Sequence, residues 1–459
     1  MVSIILCLAA FAFCYAAARR SLVAGLATVC TVGYFYGIVR ANVPETFSHF
    51  VFDAGVIGLY LAQLSRKGSR EERRRRQALT IWVGVLMAWP FILFFVPVQD
   101  YAVQLVGLRG NIFLLPFVLI GARLRGADLH KLALAIAVLN LVAFACACAE
   151  YTFGVERFFP QNQVTELIYK SVVDENYENP DRSEALRIPS TFTGAHAYAG
   201  TMVLTFAFLF GAWVERRETA RWHRHLLMAA MVATVLGVFI AAARSPVIVL
   251  ALMLAVIVKS GRLKAHVWAL LLLICVGMGW IVSSEERLQR FMTLRDVDFV
   301  SERIHWSVND SFLDLAVEYP MGNGLGGGGT SIPYFLQGRI RPPEYFMENE
   351  YARIVLEQGV LGLCLWVGFI FWAFTRRTTL AHEEWFLCRA LLWVACAAFF
   401  TTGMIGTGLM TSIPGTALLL LSVGWIAVRQ PQASLAESSN SPAPTRDVRA
   451  ERISARQYV

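Results

Sequence analysis

Charge is what this chain is short of. Asp, Glu, Lys and Arg make up 16% of its 459 residues, and 56% are hydrophobic. Soluble domains carry about a quarter charged residues, so the composition excludes an ordinary soluble domain and describes a polytopic membrane protein. Cysteine is missing from the polar loops. All nine (Cys7, Cys14, Cys30, Cys146, Cys148, Cys275, Cys364, Cys388 and Cys396) lie in apolar segments, so neither a disulfide nor a thiolate metal site is read. The eight histidines form no H-E-x-x-H or similar spacing, and no metal site or cofactor motif is legible. No basic region precedes the first apolar segment, as a cleavable signal would require. The glycine run in MGNGLGGGG (Met321–Gly329) lacks the Lys-Ser/Thr and the preceding strand of a phosphate loop. Tight turning and close backbone approach are what remain for it.

What is there is a succession of greasy segments. A spanning helix needs about 20 apolar residues, and the candidates are 2–18, 21–39, 49–64, 79–97, 108–122, 132–150, 192–214, 226–243, 245–259, 265–283, 350–374, 385–403 and 408–428. The expected fold class is therefore an all-α polytopic membrane protein with about 13 transmembrane helices, within a range of roughly 11–14. Two long polar stretches interrupt it, at about 151–190 and 284–349, and the second has room for short helices. The membrane domain is expected over 1–428. The tail 429–459, rich in Ser, Pro, Ala and charge, reads as disordered.

Orientation follows from the basic connectors. Ser65–Gln77 (SRKGSREERRRRQ), Arg123–Arg125, Glu215–His225, Lys259–Lys264 and Thr375–Arg377 all fall on one side when the spans are counted as above. That side is expected to be cytoplasmic, and both long polar stretches then face outward. The basic runs serve topology, and nucleic acid is not an expected partner.

Charges near membrane depth are expensive and mark candidate sites. Arg187 ends the first polar stretch in ALRIPSTFTGAHAYAG, and Arg244 sits in a break between two spans, with Pro246 behind it favouring a helix start. Arg303 lies in SERIHWS, and Glu348 lies in MENEYARIVLEQG at the start of the next span. Guanidinium stays charged and offers a planar fork that matches phosphate oxygens two at a time. Arginines converging at the outer boundary suit a diphosphate whose lipid lies in the bilayer. Arg339 and Arg341 in QGRIRPP extend the same field; Arg303 has Glu302 and Asp310 as alternative partners. The loop aromatics Trp306, Tyr334, Phe335, Tyr345 and Phe346 suit stacking on sugar faces as well as packing within the loop. His196 is read as a helix-packing or hydrogen-bonding residue rather than a metal ligand.

In order, these pieces are Arg187 with Ser190-Thr191-Phe192, Arg244-Ser245, Arg303 with Trp306, Pro320-Met321-Gly322-Asn323-Gly324-Leu325-Gly326, Glu348-Asn349, and Glu357-Gln358-Gly359-Val360-Leu361-Gly362. Over about residues 100–430 the series resembles the O-antigen ligase and surface-polysaccharide polymerase superfamily. The resemblance implies a metal-independent, inverting membrane glycosyltransferase of the bacterial cytoplasmic membrane, with its site facing the exterior. It implies an undecaprenyl-diphosphate-linked glycan donor, a glycan acceptor and surrounding lipids, with other polysaccharide-assembly proteins as further partners. Arg187 and Arg244 would hold the diphosphate, and Glu348 stands where the family has a histidine base. Arg303, Trp306, Asn349, Arg339 and Arg341 would contact substrate. The departure at Glu348 favours polymerisation of repeat units over ligation to a lipid acceptor; transport or scaffolding of lipid-linked glycan is the alternative of a different kind.

The topology is directly testable. A reporter fused at Arg74 is expected to read cytoplasmic and one fused at Gly327 external; finding both on one side would overturn the assignment.

Overall fold

The computed structural model describes residues 1–64, 69–170, 186–215, 220–260, 301, 312–329, 332–341, 349–376, 385–406 and 408–428. Among them there is no strand. The helices are α1 Val2–Arg20, α2 Leu22–Asn42, α3 Val51–Leu64, α4 Arg70–Leu93, α5 Tyr101–Ile112, α6 Pro116–Gly121, α7 Gly126–Phe153, α8 Glu166–Tyr169, α9 Ala195–Glu215, α10 Arg221–Ile240, α11 Arg244–Lys259, α12 Phe312–Glu318, α13 Tyr334–Gln337, α14 Glu350–Thr375, α15 Phe386–Thr402 and α16 Gly415–Ala427. Nine helical segments among the described residues are long and apolar enough to cross a membrane; α15 and α16 are shorter apolar helices. The expected span 265–283 and the tail 429–459 lie outside the described residues.

Three expected spans differ in form. The segment 79–97 is helical from Arg70, because Ser69 and Glu72 close a reciprocal capping box that draws the arginine-rich connector into α4. The segment 108–122 is two helices, α5 and α6, with Pro116 in the first turn of the second. The segment 408–428 is helical only from Gly415, after Pro414. Its helix α16 is apolar all round and buried along most of its length, the signature of a core helix. It touches α6 backbone to backbone, Gly121 against Leu421 and Gly424 against Val118, with small residues allowing the approach.

Connector contacts sort into two ends. At one, Arg125 pairs with Glu72 at 3.3 Å, Gly126 abuts Trp385, His130 meets His223, and Trp393 donates to the Phe374 carbonyl. This is the arginine-rich end. At the other, Asn42 donates to the Phe158 carbonyl and Asn162 to that of Ala41, both at 2.9 Å. There too Gln99 donates to the Asn323 carbonyl at 2.8 Å, and Gly408 N–H donates to Glu350 at 2.9 Å. The described parts of both long polar stretches belong to this second, loop end.

The second polar stretch is anchored there by three small apolar clusters. Val103 gathers Ile332, Leu336 and Ile340; Ala352 and Leu356 hold Leu315; Leu93 and Leu108 hold Leu325. Inside α14, Gly359 leaves helical geometry with φ 70° and ψ −178°. A Cβ there would lie 2.6 Å from the Pro320 carbonyl oxygen. Gly359→Ala is therefore expected to destabilise the protein by about 2 kcal/mol or more, from backbone strain plus the clash. Gly84→Ala, on open helix surface with nothing within 4 Å, should be neutral or mildly stabilising. Thermal unfolding of the two variants in detergent checks the contrast.

Candidate functional site

The break at Gly359 exposes one rung of a helix ladder, and the glycine run fills it. A continuous helix would pair Val360 N–H with the Leu356 carbonyl. Here Val360 N–H donates to Pro320 O at 3.0 Å, and Leu356 O accepts from Asn323 N–H at 2.6 Å. The Gln358 carbonyl beside them accepts from Trp89 Nε1 at 2.9 Å. Gly322, at φ 83°, has no room for a Cβ, which would stand 2.8 Å from Gly359 N. The two glycine motifs of the sequence, 320–326 and 357–362, thus meet each other.

Beneath the splice lies a buried ionic network that sequence reasoning missed. Arg353 is 1% exposed and lies between Glu350 and Glu357, both fully buried. Its guanidinium is 2.7 Å from Glu350 and 2.8 Å from Glu357. Asn111 donates to Glu357 at 2.6 Å and accepts from Gln358 at 2.8 Å. A small cavity lined by Gly110, Asn111, Arg353, Trp366 and Thr416 adjoins it. Three charges at i, i+3 and i+7 in one apolar segment (Glu350, Arg353 and Glu357) are the signal the sequence offers for it.

Arg187 and Arg244, the leading sequence candidates, stand at the loop end of one group of helices. Helix α9 packs against both α10 and α11. Arg187, 9% exposed, precedes α9 and has Nη1 3.1 Å from Nε2 of His196 on its first turn. Arg244 is half-buried and is the first residue of α11, with Pro246 in the opening turn. Beside each arginine is a residue in the left-handed region without being glycine: Ser190 at φ 53° and Ala242 at φ 49°. Such residues are uncommon and store strain.

The turn at Ser190 is held from several sides. Its N–H donates to Glu150 Oε2 at 2.8 Å and its hydroxyl to the Ala143 carbonyl at 2.7 Å. Ile38 N–H donates to the next carbonyl, Thr191 O, at 3.0 Å. Gly37 lets α2 press on the Phe192 backbone. Ala242 closes the turn between α10 and α11, where Ala241, Ala242 and Ala243 are all buried.

The other expected contacts fall in different places. Asn349 is 3% exposed and caps α14, accepting from Tyr351 and Ala352 N–H at 2.9 and 3.2 Å. Arg339 and Arg341 have exposed side chains at the loop end; Arg339 lies 3.9 Å from Asp100, while Arg341 binds Gln99 through its backbone N–H at 2.7 Å. Tyr334 and Phe335 pack on one another and on His49. Glu348, Arg303, Trp306, Tyr345 and Phe346 lie outside the described residues. Among the described residues no group of three or more His, Cys, Asp or Glu side chains is arranged to hold a metal ion. No family model matches the chain, and no similar sequence is found among curated proteins.

The buried network makes its own prediction. Arg353→Met leaves two buried carboxylates facing each other and is expected to cost about 3–5 kcal/mol. Adding Glu350→Gln and Glu357→Gln removes the stranded charge and should recover most of that loss. Equal thermal stability of Arg353→Met and the native chain would show that the guanidinium is not holding the network.

Proposed function

We propose that this chain is a membrane glycosyltransferase that polymerises lipid-linked oligosaccharide repeat units at the outer face of a bacterial cytoplasmic membrane. One observation carries the proposal. The loop end has two strained non-glycine turns, at Ser190 and Ala242, and each lies within three residues of an arginine chosen from sequence for diphosphate binding. Strained backbone persists where the surroundings over-determine it, and it concentrates at binding and catalytic sites. The arginine-rich connectors at the opposite end favour the cytoplasm there, which turns the loop end outward.

The chemistry follows from charge. An acceptor hydroxyl oxygen attacks the anomeric carbon as the bond from that carbon to the diphosphate oxygen breaks. The bonding pair leaves with the diphosphate, and inversion results. Arginines fixed beforehand around the departing group stabilise the transition state more than the ground state; Arg187 and Arg244 fill this role. The hydroxyl proton goes to Glu348, in the position the resemblance gives to a base.

A transport reading has one observation in its favour, the broken helix α14, since discontinuous helices mark transporter sites. The groups freed by that break are already taken by Pro320, Asn323 and Trp89, which weighs for a structural role.

Arg244→Lys tests the phosphate role, because lysine keeps the charge and loses the fork. The variant is expected to accumulate normally yet yield at most about a tenth of the polymer, the loss of one or two charge-assisted hydrogen bonds. Glycan chain length in a deletion strain complemented with each form is the measurement. Native-length polymer at native yield from the Lys variant would remove Arg244 from the site.

A further inference from the structure

Glu150 is an acidic side chain with no access to solvent. It sits near the end of α7, fully buried, and a carboxyl group in that setting is costly unless it does something. Its Oε2 accepts the Ser190 N–H at 2.8 Å, and no described arginine or lysine is paired with it. The hydrogen bond lands on the residue whose backbone is left-handed. A serine at φ 53° needs local compensation, and the carboxyl acceptor together with the Ser190 hydroxyl bond to Ala143 supplies it. Three residues upstream, past Ile188 and Pro189, is Arg187. Pro189 fixes its own φ and restricts Ile188 before it, so the setting of the Ser190 turn passes along a stiff segment to the arginine.

We propose that Glu150 is a positioning residue for Arg187: it holds the left-handed turn at Ser190 and through it sets the place of the guanidinium. The proposal rests on the reading of Arg187 as a diphosphate ligand. Glu150 itself touches no substrate. Glutamine would keep the acceptor at the same reach, whereas leucine would fill the space without one.

Two measurements on the purified full chain test this separately. The first is hydrogen exchange over 186–192. Glu150→Leu is expected to speed exchange of the Ser190 amide at least about tenfold, while Glu150→Gln stays near native. Unchanged exchange in Glu150→Leu would overturn the proposal whatever the function.

The second is binding of undecaprenyl diphosphate, with and without Arg187→Ala. In the native background Glu150→Leu should weaken binding about tenfold and Glu150→Gln less than about twofold. In the Arg187→Ala background Glu150→Leu should add nothing, because the two act as one unit. Equal weakening in both backgrounds would mean that Glu150 does not work through Arg187. If Arg187→Ala alone binds the probe as the native chain does, the diphosphate reading fails, and the exchange result then decides whether Glu150 holds the turn. Should Glu150→Leu not accumulate, Glu150→Asp withdraws the acceptor by one methylene and is expected to move both readouts in the same direction.

Discussion

At Gly359 the backbone of α14 steps out of helical geometry, and the polar groups that this frees must find partners in a setting poor in water. Val360 N–H, Leu356 O and Gln358 O find Pro320, Asn323 and Trp89. The partners come from two places: the glycine-rich stretch supplies two and α4 the third. The break therefore obliges the large polar stretch to dock. The glycines follow from the same constraint, since Gly322 and Gly359 face each other with no space for side chains. Below, the fully buried Glu350–Arg353–Glu357 network ties α14 to Asn111 of α5, and Gly408 N–H ties Glu350 to the connector before α16. Helices from both halves of the sequence are locked at the loop end by groups that cannot be removed singly without stranding a partner.

Under the proposed function, the arginine site needs to be held in place before the reaction begins. Arginines stabilise a departing diphosphate only if they are in place before the charge develops. Arg187 and Arg244 are each carried on a helix entry beside a strained turn, and the strain is affordable because Glu150, Ala143 and Ile38 hold one turn while a buried alanine triplet packs the other. The glycine-rich stretch has a different task. It takes part in the splice with α14 through backbone hydrogen bonds, which agrees with its lack of a phosphate-loop lysine.

Much of this was legible in the chain. Long apolar runs and grouped arginines depend on local composition, so most helices and the sorting of connectors into two ends follow from them. Pro246 announced the start of α11, and the glycine run announced close backbone approach. The features that escaped are those decided by distant partners. Gly359 looks like any glycine in an apolar helix, and only Pro320 and Asn323 turn it into a break. Arg353 and its two glutamates are completed by Asn111, far away in sequence. Ser190 carries no sign of a left-handed conformation, because serine rarely adopts one; Glu150 and Ala143 impose it. The shortness of α16 came from Pro414, which interrupts an apolar stretch that composition alone reads as continuous.

The central claim, transfer of glycan from a lipid diphosphate at an arginine site, is tested most directly by reconstitution. The purified chain in liposomes would be given an undecaprenyl-diphosphate-linked oligosaccharide, and both the glycan and the lipid would be followed. The account predicts glycan lengthened by whole repeat units together with release of undecaprenyl diphosphate, one for each unit joined, and loss of both when Arg187 and Arg244 are replaced by alanine. Donor that crosses the bilayer with its glycan unchanged and its diphosphate bond intact would contradict it.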